Sequence, residues 1–239
     1  MSGTIGQLAR QPLIRSSVRS LVQAFIAEQG LGPDDPLPPE STLAEQLGVS
    51  RSSVREAIRS LEAVGIVYVR RGVGVFVERF SFRRMLASAP YEQLLDVEEL
   101  SQILQVRRAV EVGVIGDVIG VMTPERLAEI DVVLADMRRL SGQGESFREQ
   151  DREFHRLLHT DLNNRILLDL LDSFWSVLQR ASTRAALSDD TPMTTYRDHL
   201  AIVEAVKAGD VERARTALDT HYAGIERRLV RVHEGVRAP

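Results

Sequence analysis

The 239-residue chain contains no cysteine. That excludes disulfides and thiolate metal sites, and it is compatible with a cytoplasmic location. Aromatic residues are 5% of the chain, with only 9 prolines and 16 glycines, which suits a mostly helical protein. Lys207 is the only lysine among 30 basic residues, a bias that carries no functional weight. Long hydrophobic runs are also missing. The most apolar stretch, Val110 to Met122, is interrupted by Glu111 and Asp117 and is too short to span a bilayer. The opening MSGTIGQLARQPL lacks the apolar core of a secretory signal, so no membrane segment is expected. Nor is there an excess of positive charge. The net charge is −4, and residues 1–80 carry nine arginines against eight acidic residues. Any nucleic-acid surface must therefore be local to one face. What remains is 44% hydrophobic, ample for one or two domains with cores of their own.

The most informative stretch is LPPESTLAEQLGVSRSSVREAIRSLEAVGIVYVRRGVGVFV, from Leu37 to Val77. Pro38 and Pro39 precede a helix over Glu40 to Leu47, and Gly48 ends it. Ser50 has the character of an N-cap for a second helix to about Val64, which Gly65 stops. Val54, Ala57, Ile58 and Leu61 fall at helical spacing and must face a core. Arg51, Arg55 and Arg59 form an outward stripe. Ser50, Ser52 and Ser53 crowd the helix start, where free backbone N–H groups favour a phosphate. Such a helix fits a major groove, because the arginine fork pairs bidentately with guanine or phosphate. Two short β-rich runs follow, Ile66 to Val69 and Val75 to Val77, joined by the basic tip Arg70-Arg71-Gly72-Val73-Gly74. Helix, turn, helix and basic hairpin in this order make a winged helix.

Residues Leu37 to Val67 resemble the DNA-binding domain of the GntR family of bacterial transcription regulators, whose pattern is close to LPSERxLAxxLGVSRxxVREALxxLExxGLV. The resemblance implies contacts to double-stranded DNA from Arg51 and Arg55, with Ser50, Ser52 and Ser53 beside them and Arg71 and Gly72 on the wing. One departure stands out. Where the family often has a DNA-contacting arginine after the Glu of its PSER segment, this chain has Ser41. Operator preference therefore does not carry over from relatives.

Around this stretch the pattern is helical. Leu13 to Gln29 reads as an amphipathic helix with Val18, Leu21, Val22 and Phe25 on one face, and residues 30–36 as a break. Residues 80–95 read as a linker with a short helix. Beyond them, six helices are expected at about 97–119, 124–140, 147–159, 165–187, 194–208 and 211–233. The fold class is thus mainly α: a winged helix-turn-helix over residues 1–79, then an all-α bundle over 96–239.

Several polar residues lie on bundle faces that should be apolar. Asp151 and His155 are four apart on the stripe of Phe147, Phe154 and Leu158. His199 shares a stripe with Tyr196, Val203 and Val206, and His221 with Ala214, Leu218 and Ile225. One carboxylate and three imidazoles thus point toward one core from three helices. A buried carboxylate needs a partner, and neutral imidazoles are common metal ligands. Segments DREFH, LLHTDLNNRILLDLL and RDHLAIVEAVKAGDVERARTALDTHY are similar to the FCD effector-binding domain of the FadR subfamily. That resemblance implies that Asp151, His155, His199 and His221 hold a divalent metal. Three nitrogens and one oxygen suit zinc, nickel, manganese or iron without choosing among them, and zinc is the first expectation. It also implies a small carboxylate or hydroxy-acid effector, with Arg107 and Asn164 near its pocket. Arg107 otherwise reads as a surface arginine and Asn164 as a helix cap. His159 reads as a bystander, and His233 as a solvated residue near the tail.

The expected function is a metabolite-responsive regulator, a repressor that binds a palindromic operator as a homodimer. The competing readings are a metal-dependent hydrolase and a DNA-binding protein with a purely structural metal. The hydrolase lacks a clearly placed general base and leaves the winged helix unexplained.

Overall fold

The computed structural model describes residues 18–87, 97–184 and 191–237. The chain divides into two compact units, residues 1–89 and 90–239. The expected residues 13–17 of the first helix, part of the 80–95 linker, the end of the fourth bundle helix and most of the 188–192 loop lie outside the described residues.

In the first unit, α1 (18–28) buries Val18 and Val22, with Phe25 and Ile26 partly covered. Leu21, expected on this face, is exposed. The buried row steps by four from Val18 to Val22 to Ile26, and Leu21 falls to its side. α2 (Glu40–Gln46) and α3 (Arg51–Ala63) form the helical pair. Between them Gly48 adopts φ 65°, and after α3 Gly65 adopts φ 72°, the left-handed conformation that terminates a helix without a Cβ penalty. Ser50 caps α3, its Oγ accepting the Ser53 N–H at 3.1 Å. Val54, Ala57, Ile58 and Leu61 are all buried. Each large side chain so buried contributes about 1.5–3 kcal/mol of transfer free energy.

β1 (Val67–Arg70) and β2 (Gly74–Val77) are antiparallel, pairing Val67 with Val77 and Tyr68 with Phe76. A third segment adds to this hairpin. The Leu37 N–H donates to Val75 O at 2.8 Å, the Val77 N–H to Asp35 O at 2.9 Å and the Asp34 N–H to Val77 O at 2.9 Å. The chain read as a break thus turns beside β2 and makes one isolated bridge, Pro36 to Phe76. Pro33 and Pro36 conceal this pairing, because proline donates no ladder bond. The short α4 (Phe82–Ala87) follows.

The second unit is helical throughout its described residues. It contains α5 (Val97–Val121), α6 (Pro124–Gly142), α7 (Arg148–Thr160), α8 (Arg165–Arg184), α9 (Pro192–Lys207) and α10 (Val211–Arg237). α6 carries its expected cap, with Thr123 Oγ1 accepting the Arg126 N–H at 3.2 Å, and Pro124 in its first turn. It runs through Ser141 and Gly142, which the sequence suggested as loop. Ser141 is buried and its Oγ donates to the Arg138 carbonyl at 3.0 Å, so its polar group is satisfied inside the helix. α10 packs on α9 and α5, α6 on α7 and α9, and α8 on α7 and α5. One apolar cluster, including Leu104, Ile115, Ile130, Met137, Phe154, Ile202 and Leu218, joins these helices. α7, α9 and α10 all contribute to it, and those three carry the polar residues singled out in the sequence.

Candidate functional site

On the first unit, Ser50, Arg51, Ser52, Arg55, Arg71 and Gly72 are exposed, and Ser53 is half-buried. The hydroxyls at the start of α3 are linked, Ser50 Oγ lying 2.8 Å from both Ser52 Oγ and Ser53 Oγ. Arg55 does not stand alone. Its Nε and Nη2 donate to Glu40 Oε2 at 2.9 and 2.8 Å, so α2 orients the guanidinium from across the turn. The Glu40 hydrogen bond raises the Arg55 pKa. Arg59, on the same stripe, pairs with Glu56 at 3.0 Å. On the wing, Tyr68 and Phe76 stack with ring centroids 5.5 Å apart, and the Arg70 guanidinium lies 5.4 and 5.0 Å from the two rings. Tyr68 is anchored in turn, its hydroxyl donating to Asp34 at 2.8 Å. α3 and the hairpin are thus both stiffened by side-chain contacts and carry arginines at the surface.

In the second unit the four residues read from the sequence come together. Asp151 and His155 project from α7, His199 from α9 and His221 from α10, and one ligand atom of each lies within 4.8 Å of all the others. The three histidines are buried and Asp151 is half-buried. His199 Nε2 sits 2.7 Å from Asp151 Oδ1, and His155 Nε2 sits 3.6 Å from the same oxygen. The His199 and His221 rings are 4.4 Å apart. Phe154 packs its ring edge-on against both His155 and His199, walling the cluster with an apolar face.

The hydrogen-bond pattern fixes the tautomers. His199 Nδ1 lies 2.7 Å from the Thr195 carbonyl, which only accepts, so Nδ1 carries the hydrogen. Its Nε2, only 2.7 Å from an Asp151 carboxylate oxygen, must share a second proton or a cation with it. His155 Nδ1 is 2.6 Å from the Glu111 carboxylate, which leaves Nε2 as its free lone pair. Among the described residues, His155 Nε2 and both nitrogens of His221 are buried with no hydrogen-bond partner. Burial pushes His221 well below its usual value, and the neighbouring His199 and His155 add to the effect. Burial also lowers His155, against the pull of Glu111. Burial alone would raise the Asp151 carboxyl, but the hydrogen bond from His199 and the nearby imidazoles outweigh it, holding Asp151 well below the carboxylate range. The result is one anionic oxygen and three imidazoles within 4.8 Å of one another, with a proton or a cation between His199 and Asp151. This donor set fits a divalent cation of borderline softness.

The remaining sequence candidates divide. Arg107, which the sequence left open as a surface residue, is buried and donates its Nε to Glu111 Oε1 at 2.8 Å. Burial works against its charge, but Tyr222, Glu111 and Asp151 more than compensate and raise its pKa. His159 is fully buried, with Nδ1 2.8 Å from the His155 carbonyl and Nε2 4.0 Å from Glu111. It packs behind the cluster without joining it. Asn164 is not brought to the cluster. It sits exposed at the start of α8, where its Oδ1 accepts the Leu167 N–H at 3.0 Å, so capping accounts for it. The side chain of His233 lies outside the described residues. Sequence reading missed Glu111 and Tyr222. The available signal was an acid four residues after Arg107, in the chain's most apolar stretch.

The comparisons with known proteins agree with both halves. Residues 14–77 match the profile of bacterial regulatory proteins, gntR family, and residues 102–224 match the FCD domain. The HTH-type transcriptional regulator LutR of Bacillus subtilis (strain 168) is 30% identical over 201 residues, covering 82% of this chain and 92% of that one. The galactonate operon transcriptional repressor of Escherichia coli (strain K12) is 28% identical over 202 residues, with coverages of 82% and 88%. A solved structure described as Streptococcus agalactiae GntR superposes with a TM-score of 0.58 at 22% identity, over 89% of this chain and 99% of that one, a likeness of fold alone.

Proposed function

The chain belongs to the gntR family of bacterial regulatory proteins and carries the FCD domain, and from that premise we propose that this transcription regulator is a metal-dependent sensor of a small carboxylate or hydroxy-acid. The hydrolase reading falls away, since the matched relatives are transcription regulators. The observation that carries the proposal is the convergence of Asp151, His155, His199 and His221 from three helices. These four would hold the metal, zinc first among zinc, nickel, manganese and iron. Bound there, it would supply Lewis-acid positions for the oxygens of an acid. Arg107 would face the acid's carboxylate. It uses Nε on Glu111, and a guanidinium retains further N–H donors in a fork suited to a carboxylate. One relative is named for a galactonate operon, and galactonate is itself a polyhydroxy carboxylate.

On DNA, Arg51 and Arg55 would read the major groove, with Ser50, Ser52 and Ser53 on the phosphates and Arg71 and Gly72 at the wing tip. One reading head contacts few bases, so the chain would act as a homodimer on a palindromic operator, as a repressor. The acid changes DNA affinity only through its differential binding to the DNA-competent and DNA-incompetent arrangements. The test is a thermal-shift screen of small carboxylates and sugar acids on zinc-loaded and chelator-treated protein. An acid that stabilises only the zinc-loaded form supports the sensor, because a native-state ligand raises the melting point by mass action. Stabilisation by zinc with no response to any acid would leave the metal a structural staple.

A further inference from the structure

Glu111 lies in the middle of α5, a helix that contributes none of the four clustered side chains, and none of its own side chain is exposed. Three donors converge on it. Arg107 Nε reaches Oε1 at 2.8 Å, the Tyr222 hydroxyl reaches the same oxygen at 2.6 Å, and His155 Nδ1 reaches Oε2 at 2.6 Å. Arg107 and Tyr222 therefore clamp one oxygen while the other faces the imidazole. The carboxylate cannot turn away from His155 without breaking both clamps in a buried site, where each lost bond is costly.

The consequence falls on the opposite edge of the ring. A carboxylate oxygen only accepts, so the ring hydrogen is held on Nδ1 and the lone pair on Nε2. Nε2 is the atom left without a hydrogen-bond partner, 3.6 Å from Asp151. A negative charge behind Nδ1 also makes Nε2 a stronger electron-pair donor. The three imidazoles are not equivalent in this respect. His199 is backed by the neutral Thr195 carbonyl, and among the described residues His221 has no hydrogen-bond partner at either nitrogen. Among those residues only His155 is backed by a full charge.

We propose that Glu111 is a positioning residue of the metal site: clamped by Arg107 and Tyr222, it sets the tautomer and orientation of His155 and strengthens Nε2 as a ligand. This rests on the reading of the four residues as metal ligands. Its test is zinc affinity of the full chain, measured by competition with a chromophoric chelator. Glu111→Gln is expected to weaken zinc binding by roughly 10- to 100-fold, the usual effect of removing such a partner. Tyr222→Phe, which loosens the clamp, weakens it by less in the same direction. Ile130→Ala on α6, which supplies none of the four residues, controls for general loss of stability. It lowers the melting point and leaves the zinc affinity unchanged. Glu111→Gln with wild-type affinity overturns the inference, and so does an Ile130→Ala variant weakened as much as Glu111→Gln. Should Glu111→Gln not fold, nitrogen-15 NMR of the chelator-treated wild type decides, with a hydrogen on His155 Nδ1 expected and one on Nε2 alone overturning it. Wild-type protein that takes up no zinc overturns the metal reading itself, an outcome distinct from zinc uptake that ignores Glu111.

Discussion

Replacing His221 by leucine should invert the usual sign of a core substitution. His221 is 2% exposed, and neither of its ring nitrogens has a hydrogen-bond partner among the described residues. Burial and the two neighbouring imidazoles keep it uncharged at neutral pH. A buried, unsatisfied polar group costs about 1–3 kcal/mol. Leucine has similar volume and no polar atom, so in chelator-treated protein the substitution relieves that cost with little change in packing. For a protein of this size each kcal/mol moves the melting point by about 2–4 °C, which puts the metal-free variant roughly 2–12 °C above metal-free wild type. Zinc reverses the order. At a thousandfold excess over its dissociation constant a native-state ligand adds about 4.1 kcal/mol, or roughly 8–16 °C, to the wild type alone. Differential scanning calorimetry of both proteins, with zinc and with chelator, reads the crossing directly. If His221→Leu melts below wild type in chelator, His221 is an ordinary well-satisfied core residue, and the account of a lone-pair-rich hole at the cluster is wrong.

Other expectations follow from the same contacts. Arg51→Ala and Arg55→Ala should each cost about 1–3 kcal/mol of operator discrimination while far-ultraviolet circular dichroism stays native, as read by anisotropy titration against matched and scrambled duplexes. Ser50→Ala removes the α3 cap and should destabilise the first unit by about 1 kcal/mol in urea denaturation. Burial would raise Glu111, but the hydrogen-bonded His155 and the Arg107 guanidinium outweigh it and hold the carboxyl well below 4.5. Its folded-state value is depressed, so its stabilisation is fully present above 4.5 and is lost as pH falls through the lowered native value. Chelator-treated Glu111→Gln should accordingly lose stability less steeply than wild type below pH 4.5, as followed by urea midpoints across an acid series.

The legible part of the fold is the part written in local patterns. Val54, Ala57, Ile58 and Leu61 mark the buried face of α3 by spacing alone, and Ser50, Gly48 and Gly65 punctuate it through capping and positive φ. Asp151 and His155 are visible as an i, i+4 pair on an apolar stripe, and His199 and His221 as polar members of two others. What escaped depends on contacts between distant segments. The bridge that residues 34–37 make to the hairpin exists because β2 supplies its partners, which no local pattern announces. Glu111 looks like an interruption of an apolar run until α7 and α10 bring His155 and Tyr222 to it, 44 and 111 residues away in sequence. Arg107 looked as much like a surface residue as a buried one until that carboxylate was in place. Asn164 caps α8, and in sequence a helix cap and a pocket-lining asparagine are indistinguishable.

The most direct test of the central claim is operator affinity with and without the acid. Duplexes selected from a random pool by the zinc-loaded full chain would supply the operator, and the acid would be one that passes the thermal-shift screen. The account predicts a two-fold-symmetric operator with half-sites about one helical turn apart. It predicts that the acid changes affinity for that operator in zinc-loaded protein and has no effect after chelation. An operator bound equally well with and without the acid, in the presence of zinc, would contradict it.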